Sequence, residues 1–391
     1  MGRERTGATQ RAQRALPHAL PRVLLVLGTS GGGVGRHVAA LAASLVQSGV
    51  TVHVAAPAAV GEELDFAGAG ATFTAVEIRE RPHPRGDLKV VATIGRLAED
   101  VDVVHAHGLR AGGLAVLALR RSSVPLAVTL HNALLAQGVG GSPVRAAYAV
   151  LERLVARGAD ITLGVSADLE LRLRELGARD VRHAVVPAPA ALAARTTPEQ
   201  TREALGLHDE AVVLCVARLA EQKGLPLLLD ATQVLAADAT VGRRFTVLVA
   251  GDGPLRDRLA ARIEADGLPV RLLGWRDDVG DLLTVADVVV SSAVWEGQPI
   301  AVQQALQAGA AVVATDVGGT AEVTEDAALL VPGGDAAALA AGVRRLLSDP
   351  RARDELRARA RRRAAQLPDD AAARDAALQV YDDLRRAGRS T

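Results

Sequence analysis

Thirteen short apolar runs, each leading through a small-residue turn into a helix-like stretch, constrain this chain more than any other feature. The first seven are RVLLVLG (22–28), TVHVAA (51–56), TFTAVEI (72–78), VDVVHAH (101–107), LAVTLH (126–131), ITLGVS (161–166) and VRHAVV (181–186). Six more follow: AVVLCVARL (211–219), FTVLVAG (245–251), VRLLG (270–274), DVVVSS (287–292), AAVVATD (310–316) and AALLVP (327–332). A strand that is apolar on both faces has none to show to water, so helices must cover it above and below. Strand–helix alternation of this kind builds parallel, doubly wound sheets.

Between the two series, residues 187–204 (PAPAALAARTTPEQTREA) carry three prolines and no strand-like run, as a hinge would. The organisation read from this is an N-terminal domain over 21–190, a linker over 191–206 and a second domain over 207–367. A last helix over 368–391, set off by Pro368, is expected to pack back toward the first domain. The length of 391 residues suits two domains. Residues 1–20 hold several arginines and no apolar segment, so they read as a disordered tail and not a secretory signal. Met1, Gly2 and Thr6 formally match an acylation pattern that lacks a second anchoring signal. No run of about 18 apolar residues could span a membrane.

Composition removes further classes. Basic and acidic residues number 45 each, which argues against a nucleic-acid binder. One cysteine, Cys215, excludes a disulfide framework and fits a reducing, cytoplasmic setting. Of the 45 basic residues only Lys89 and Lys223 are lysine, and Trp275 and Trp295 are the only tryptophans. Where arginine serves almost every cationic position, a retained lysine marks a place to look.

Ligands of doubly wound sheets lie beyond the carboxyl ends of the strands, so the segments after the runs are the candidates. After the first run, Gly28-Thr29-Ser30-Gly31-Gly32-Gly33-Val34-Gly35-Arg36-His37 opens a helix, and its glycines let backbone N–H groups approach an anion. No Gly-Lys-Ser/Thr follows, so it is not a Walker loop. With glycines at 31 and 33 the third of a dinucleotide fingerprint would fall at Arg36, and the second strand runs into Pro57 instead of an acid. In Ala217-Arg218-Leu219-Ala220-Glu221-Gln222-Lys223-Gly224, the fork of Arg218 and the point charge of Lys223 could converge on one diphosphate. Gly251-Asp252-Gly253-Pro254 and Gly274-Trp275-Arg276-Asp277-Asp278 end two further strands and read equally well as turns. Glu296 stands in a loop before a helix with Pro299 in its first turn and Gly309 past its end. His105 and His107 share one strand face, a spacing that suits metal ligands. No third ligand stands nearby in the sequence, so the pair is assigned to the acceptor side.

Six motifs stand in register: GGxG-R-H, ARL-x-x-x-KG, GDGP, GWRDDV, S-x-x-E-G-x-P and ATDVGG-x-x-EV. Together they resemble the retaining GT-B glycosyltransferases of family 4, over nearly the whole chain from residue 22. The resemblance implies two Rossmann-like doubly wound domains facing a central cleft, with a nucleotide-sugar donor mainly on the second. It implies that Arg218 and Lys223 hold the donor diphosphate and that Glu296 faces the donor sugar. Gly32, Gly33 and Gly35 would close on the phosphate, and His131, followed by Asn132 on the acceptor side, would stand near the sugar. Gly251, Asp252, Gly253, Trp275, Arg276, Gly318, Gly319 and Glu322 would line the donor.

The activity implied is hexosyl transfer in cell-envelope or glycoconjugate synthesis, to a glycan, lipid or small-molecule acceptor. No cofactor and no metal are expected, because lysine and arginine neutralise the diphosphate. Gln304 stands where the family has its second glutamate, and Val186-Pro187-Ala188-Pro189-Ala190 replaces its usual Pro-Asn-Gly-Val-Asp. The glutamine leaves open a pseudo-transferase that binds nucleotide or a partner without turnover, and an epimerase on the same fold is a lesser alternative. Five arginines over 357–363 leave peripheral contact with the inner membrane face open, the solvated helical face being the plainer reading.

Overall fold

The structure, a computed structural model, describes residues 20–29, 32–79, 82–132, 142–238 and 244–388. The expected tail over 1–20 therefore lies, except for Leu20, outside the described residues. Strands β1 (Arg22–Leu27), β2 (Thr51–Ala56), β3 (Thr72–Ala75), β4 (Val103–His107), β5 (Leu126–Leu130), β6 (Ile161–Gly164) and β7 (Val181–His183) form one sheet, ordered β3-β2-β1-β4-β5-β6-β7. A second sheet holds β8 (Ala211–Val216), β9 (Phe245–Ala250), β10 (Val270–Gly274), β11 (Val288–Ser291), β12 (Val312–Asp316) and β13 (Ala328–Pro332), ordered β10-β9-β8-β11-β12-β13. All strands within each sheet pair in parallel.

Burial accounts for the continuous apolar runs. In β1, Val23, Leu25 and Leu27 pack into one helical layer while Leu24 and Val26 pack into the other. In β8, Val213 and Cys215 face one layer, Val212 and Leu214 the opposite one. Strand order reverses between β1 and β4 and again between β8 and β11. The connections on either side of each reversal run to opposite faces, which opens a crevice at the carboxyl ends of those strands.

The linker is more structured than its prolines suggest. Residues Pro198–Ala204 form a helix, opened by Thr197, which accepts from the Gln200 N–H while the Gln200 side chain accepts from the Thr197 N–H. Proline in the first turn starts this helix, because its missing N–H would have no partner there. The helix packs on the Val279–Val285 helix, and Leu205 and Leu207 enter the second core. From Ala184 to Thr197 the chain carries neither helix nor strand.

The Asp370–Gly388 helix returns to the first domain, where Val380, Tyr381 and Leu384 join Val38, Leu41 and Leu45. Tyr381 is fully buried and its hydroxyl lies 2.8 Å from His105 Nδ1. Tyr381→Phe keeps the packing and strands a buried ring nitrogen, so it is expected to cost about 1–2 kcal/mol. A urea midpoint that falls with unchanged slope shows this, and an unmoved midpoint refutes it. Among the described residues no helix is long and apolar enough to cross a membrane.

Candidate active site

The second-domain half of the site is built on tight backbone contacts. After β8, Glu221–Lys223 makes one turn of 3-10 helix, and Gly224 follows at φ +58°. A Cβ at Gly224 would stand 2.0 Å from the Ser292 carbonyl oxygen, so glycine alone lets this turn lie against the end of β11. Ser292 Oγ donates to the Lys223 carbonyl at 3.0 Å and fixes the register of the two segments. Lys223 Nζ then donates to Glu296 Oε2 at 2.5 Å. The carboxylate is buried and the lysine partly so. Burial pushes the Glu296 carboxyl above its ordinary pKa, and Lys223 pulls it back.

Arg218 is exposed on the same segment as Lys223. Beneath it runs Gly251-Asp252-Gly253, where a Cβ on Gly251 would meet the Ala217 carbonyl at 2.0 Å. The Asp252 carbonyl accepts from the Leu219 N–H at 3.0 Å. These glycines thus form a bed for the arginine segment.

The first domain closes over this half. Gly32 precedes the Gly33–Gln47 helix, which also contains Gly35, and a Cβ on Gly33 would lie 2.1 Å from Ile300 Cδ1 across the cleft. Ser30 and Gly31 of the same loop lie outside the described residues. His131 follows β5, and a Cβ on Gly297 would be 1.9 Å from its carbonyl oxygen. On the other side, Gly318 sits at φ +51°, its absent Cβ 1.8 Å from the Glu296 carbonyl, which accepts from the Gly319 N–H at 3.1 Å. The Glu296-Gly297 backbone is therefore clamped between a first-domain strand end and a second-domain turn.

Several expected site residues have other duties in this arrangement. Glu322, expected beside the donor, accepts from the Ala167 N–H at 2.8 Å and so caps the first-domain helix Ala167–Glu175 across the cleft. Arg276 is held by Asp278, and Trp275 is 75% exposed. His105, expected on the acceptor side, is core: its ring nitrogens meet Tyr381 and Thr129, each at 2.8 Å. His107 is also buried, its ring between those of His105 and His131. Asn132 is half-buried at the edge of the described residues. Gln304 is half-buried on the Ile300–Gln307 helix, whereas its neighbour Gln303 is fully buried with both amide atoms unpartnered.

The sequence reading gave no role to Gly297 or His37. A conformational demand such as that at Gly297 leaves no spacing signature. His37 stood in the glycine-loop motif without a role and now lies with its ring centroid 5.5 Å from that of His131. Lys89, unexplained by motif, lines a depression with Glu77, Arg79, His83 and Asp87 beyond β3.

A buried carboxylate with a lysine, an exposed arginine and close backbone turns at a switch point can receive an anionic ligand, with hydroxyl-bonding groups around it. Residues 198–364 match the family described as Glycosyl transferases group 1, and residues 32–189 match the Glycosyl transferase 4-like domain. The chain is 32% identical over 308 residues to the D-inositol 3-phosphate glycosyltransferase of Jonesia denitrificans, covering 73% of this chain and 72% of that protein. It is 27% identical over 244 residues to the Escherichia coli UDP-Gal:alpha-D-GlcNAc-diphosphoundecaprenol alpha-1,3-galactosyltransferase, covering 60% of this chain and 63% of that enzyme, just under two thirds of its length. Among solved structures, Anabaena Alr3699/HepE in complex with UDP superposes with a TM-score of 0.76 at 21% identity, over 93% of this chain and all of that one.

Proposed function

The chain belongs to the glycosyl transferases group 1 family and is a transferase of the EC 2.4 class, and we propose that it moves a sugar from a nucleotide-diphosphate donor to an acceptor hydroxyl with retention at the anomeric carbon. The observation that carries this is the 2.5 Å contact of Lys223 with buried Glu296, beside Arg218 and opposite the first domain's glycine loop. Lys223 and Arg218 hold the diphosphate oxygens, and Glu296 holds Lys223 and the donor sugar. The bond from the anomeric carbon to the diphosphate oxygen breaks as the acceptor oxygen attacks from the same face. The acceptor proton passes to the departing phosphate oxygen. The chain's own groups position these atoms and stabilise the charge that grows on the diphosphate. No metal at the diphosphate and no protein base are needed for that step.

UDP is the first nucleotide to try, since a galactosyltransferase relative is named for UDP-Gal and a structural neighbour was solved with UDP. In this reading the acceptor lies against residues 57–70 and 82–90, which follow β2 and β3 and include Lys89. A third such segment, 133–145, lies through 141 outside the described residues. A panel of UDP-, GDP- and ADP-sugars is expected to raise the melting temperature with one base, and that donor should be hydrolysed or transferred. No shift with any of them overturns the reading. A shift without turnover points to the pseudo-transferase.

Gln304 is the ribose acceptor in this reading. Gln304→Glu restores charge to that hydrogen bond and should tighten donor binding by about 1 kcal/mol, roughly fivefold. Unchanged or weaker binding by calorimetry removes Gln304 from the ribose.

A further inference from the structure

The geometry points to a divalent transition-metal site of the zinc type formed by His37, His107 and His131. Each offers a ring nitrogen within 4.8 Å of the other two, and they are the only such group among the described residues. They come from three elements that meet at the first sheet's own switch point: the helix after the glycine loop, the end of β4 and the end of β5. The ring centroids form a nearly equilateral triangle, with sides of 5.9, 5.5 and 5.6 Å.

His107 Nδ1 and His131 Nε2 are 3.3 Å apart, long for a hydrogen bond between rings. That length is the edge of a tetrahedron around an ion with Zn–N bonds of ~2.05 Å, which is ~3.3–3.4 Å. His37 Nδ1 is buried without a hydrogen-bond partner, a condition that calls for a water or an ion. Three imidazoles leave a fourth position for an oxygen ligand, as in open zinc sites. His37 is the least buried of the three. His105 stays outside the set, because both its ring nitrogens are engaged.

The test uses the full chain without a polyhistidine tag, stripped with chelator and titrated with Co²⁺ alone. One equivalent is expected to give the visible ligand-field absorption of a tetrahedral site, displaced by added Zn²⁺. His37→Asn, at the least buried corner, and His107→Ala should each weaken Co²⁺ binding by more than the ~10–100-fold that losing an outer partner costs. Zn²⁺ should raise the melting temperature of the stripped wild type and leave that of His37→Asn unmoved. No absorption at tenfold excess Co²⁺, or equal binding by wild type and His37→Asn, overturns the site and leaves a hydrogen-bonded histidine cluster. Neither readout involves turnover, so this outcome is independent of the proposed reaction.

Discussion

Lys223→Ala is expected to lower kcat/KM for sugar transfer by ~10²–10³, or ~3–4 kcal/mol, the usual loss when one preorganised charge-stabilising donor is removed. Two effects add. The diphosphate loses a point charge at the moment its own negative charge grows. Glu296, 8% exposed, loses the ammonium 2.5 Å away. Its carboxyl is already pushed up by burial, and without Lys223 it binds a proton more readily. Lys223→Arg should recover little, because a guanidinium fork must fit where Gly224 presses the backbone against Ser292. Lys223→Ala/Glu296→Gln separates the two effects: the double variant regains folding stability, since no unpaired carboxylate remains, but not turnover. Steady-state kinetics and urea midpoints on the three variants decide the matter. A Lys223→Ala enzyme within threefold of wild type removes the lysine from the diphosphate.

The strands were legible because burial on both faces writes itself into sequence as unbroken Val, Leu and Ala. All thirteen runs contain a strand, and for TVHVAA and VRLLG the ends coincide. Elsewhere the run outlasts the strand: AVVLCVARL stops pairing at Val216, and its last residues curl into the Arg218 segment. The Pro198–Ala204 helix was hidden because its proline counted as a breaker, although Thr197 and Gln200 spell a capping box.

For the site, motif order located Lys223 and Glu296, 73 residues apart in sequence. Motif order did not give depth. His105 and His107 alternate onto the same face of β4, yet one is tied to a helix near the end of the chain and the other to His131. The partners of His107 lie on β5's end and on the first helix. They are neighbours only because β4 sits between β1 and β5, a fact of sheet order that residue spacing does not encode. The bond of Glu322 to Ala167 was hidden for the same reason, since Ala167 lies in the other domain.

The glycine contacts across the cleft give the second large expectation. Gly318→Ala should lower kcat about 10²-fold, while Gly206→Ala, an equally left-handed glycine, should leave it unchanged. Their φ values are +51° and +60°, so both alanines carry the backbone cost of roughly 1–2 kcal/mol for a left-handed L-residue. Space separates them. A Cβ at Gly206 meets nothing within 4 Å, and the residue lies before β8, at the end of the sheet away from the cleft. At Gly318 it falls 1.8 Å from the Glu296 carbonyl oxygen and 2.9 Å from its carbonyl carbon. Backbone cannot rotate aside as a side chain can, so residue 296 must shift, and Gly297 behind it is already pressed against His131. An ångström of displacement at the carboxylate that holds Lys223 is enough for a hundredfold loss. A melting temperature that falls further for Gly318→Ala than for Gly206→Ala, with activity lost only in Gly318→Ala assayed well below its transition, identifies the clamp on Glu296 as the cause. Equal kcat in the two variants shows that the Glu296 backbone position does not matter to the reaction.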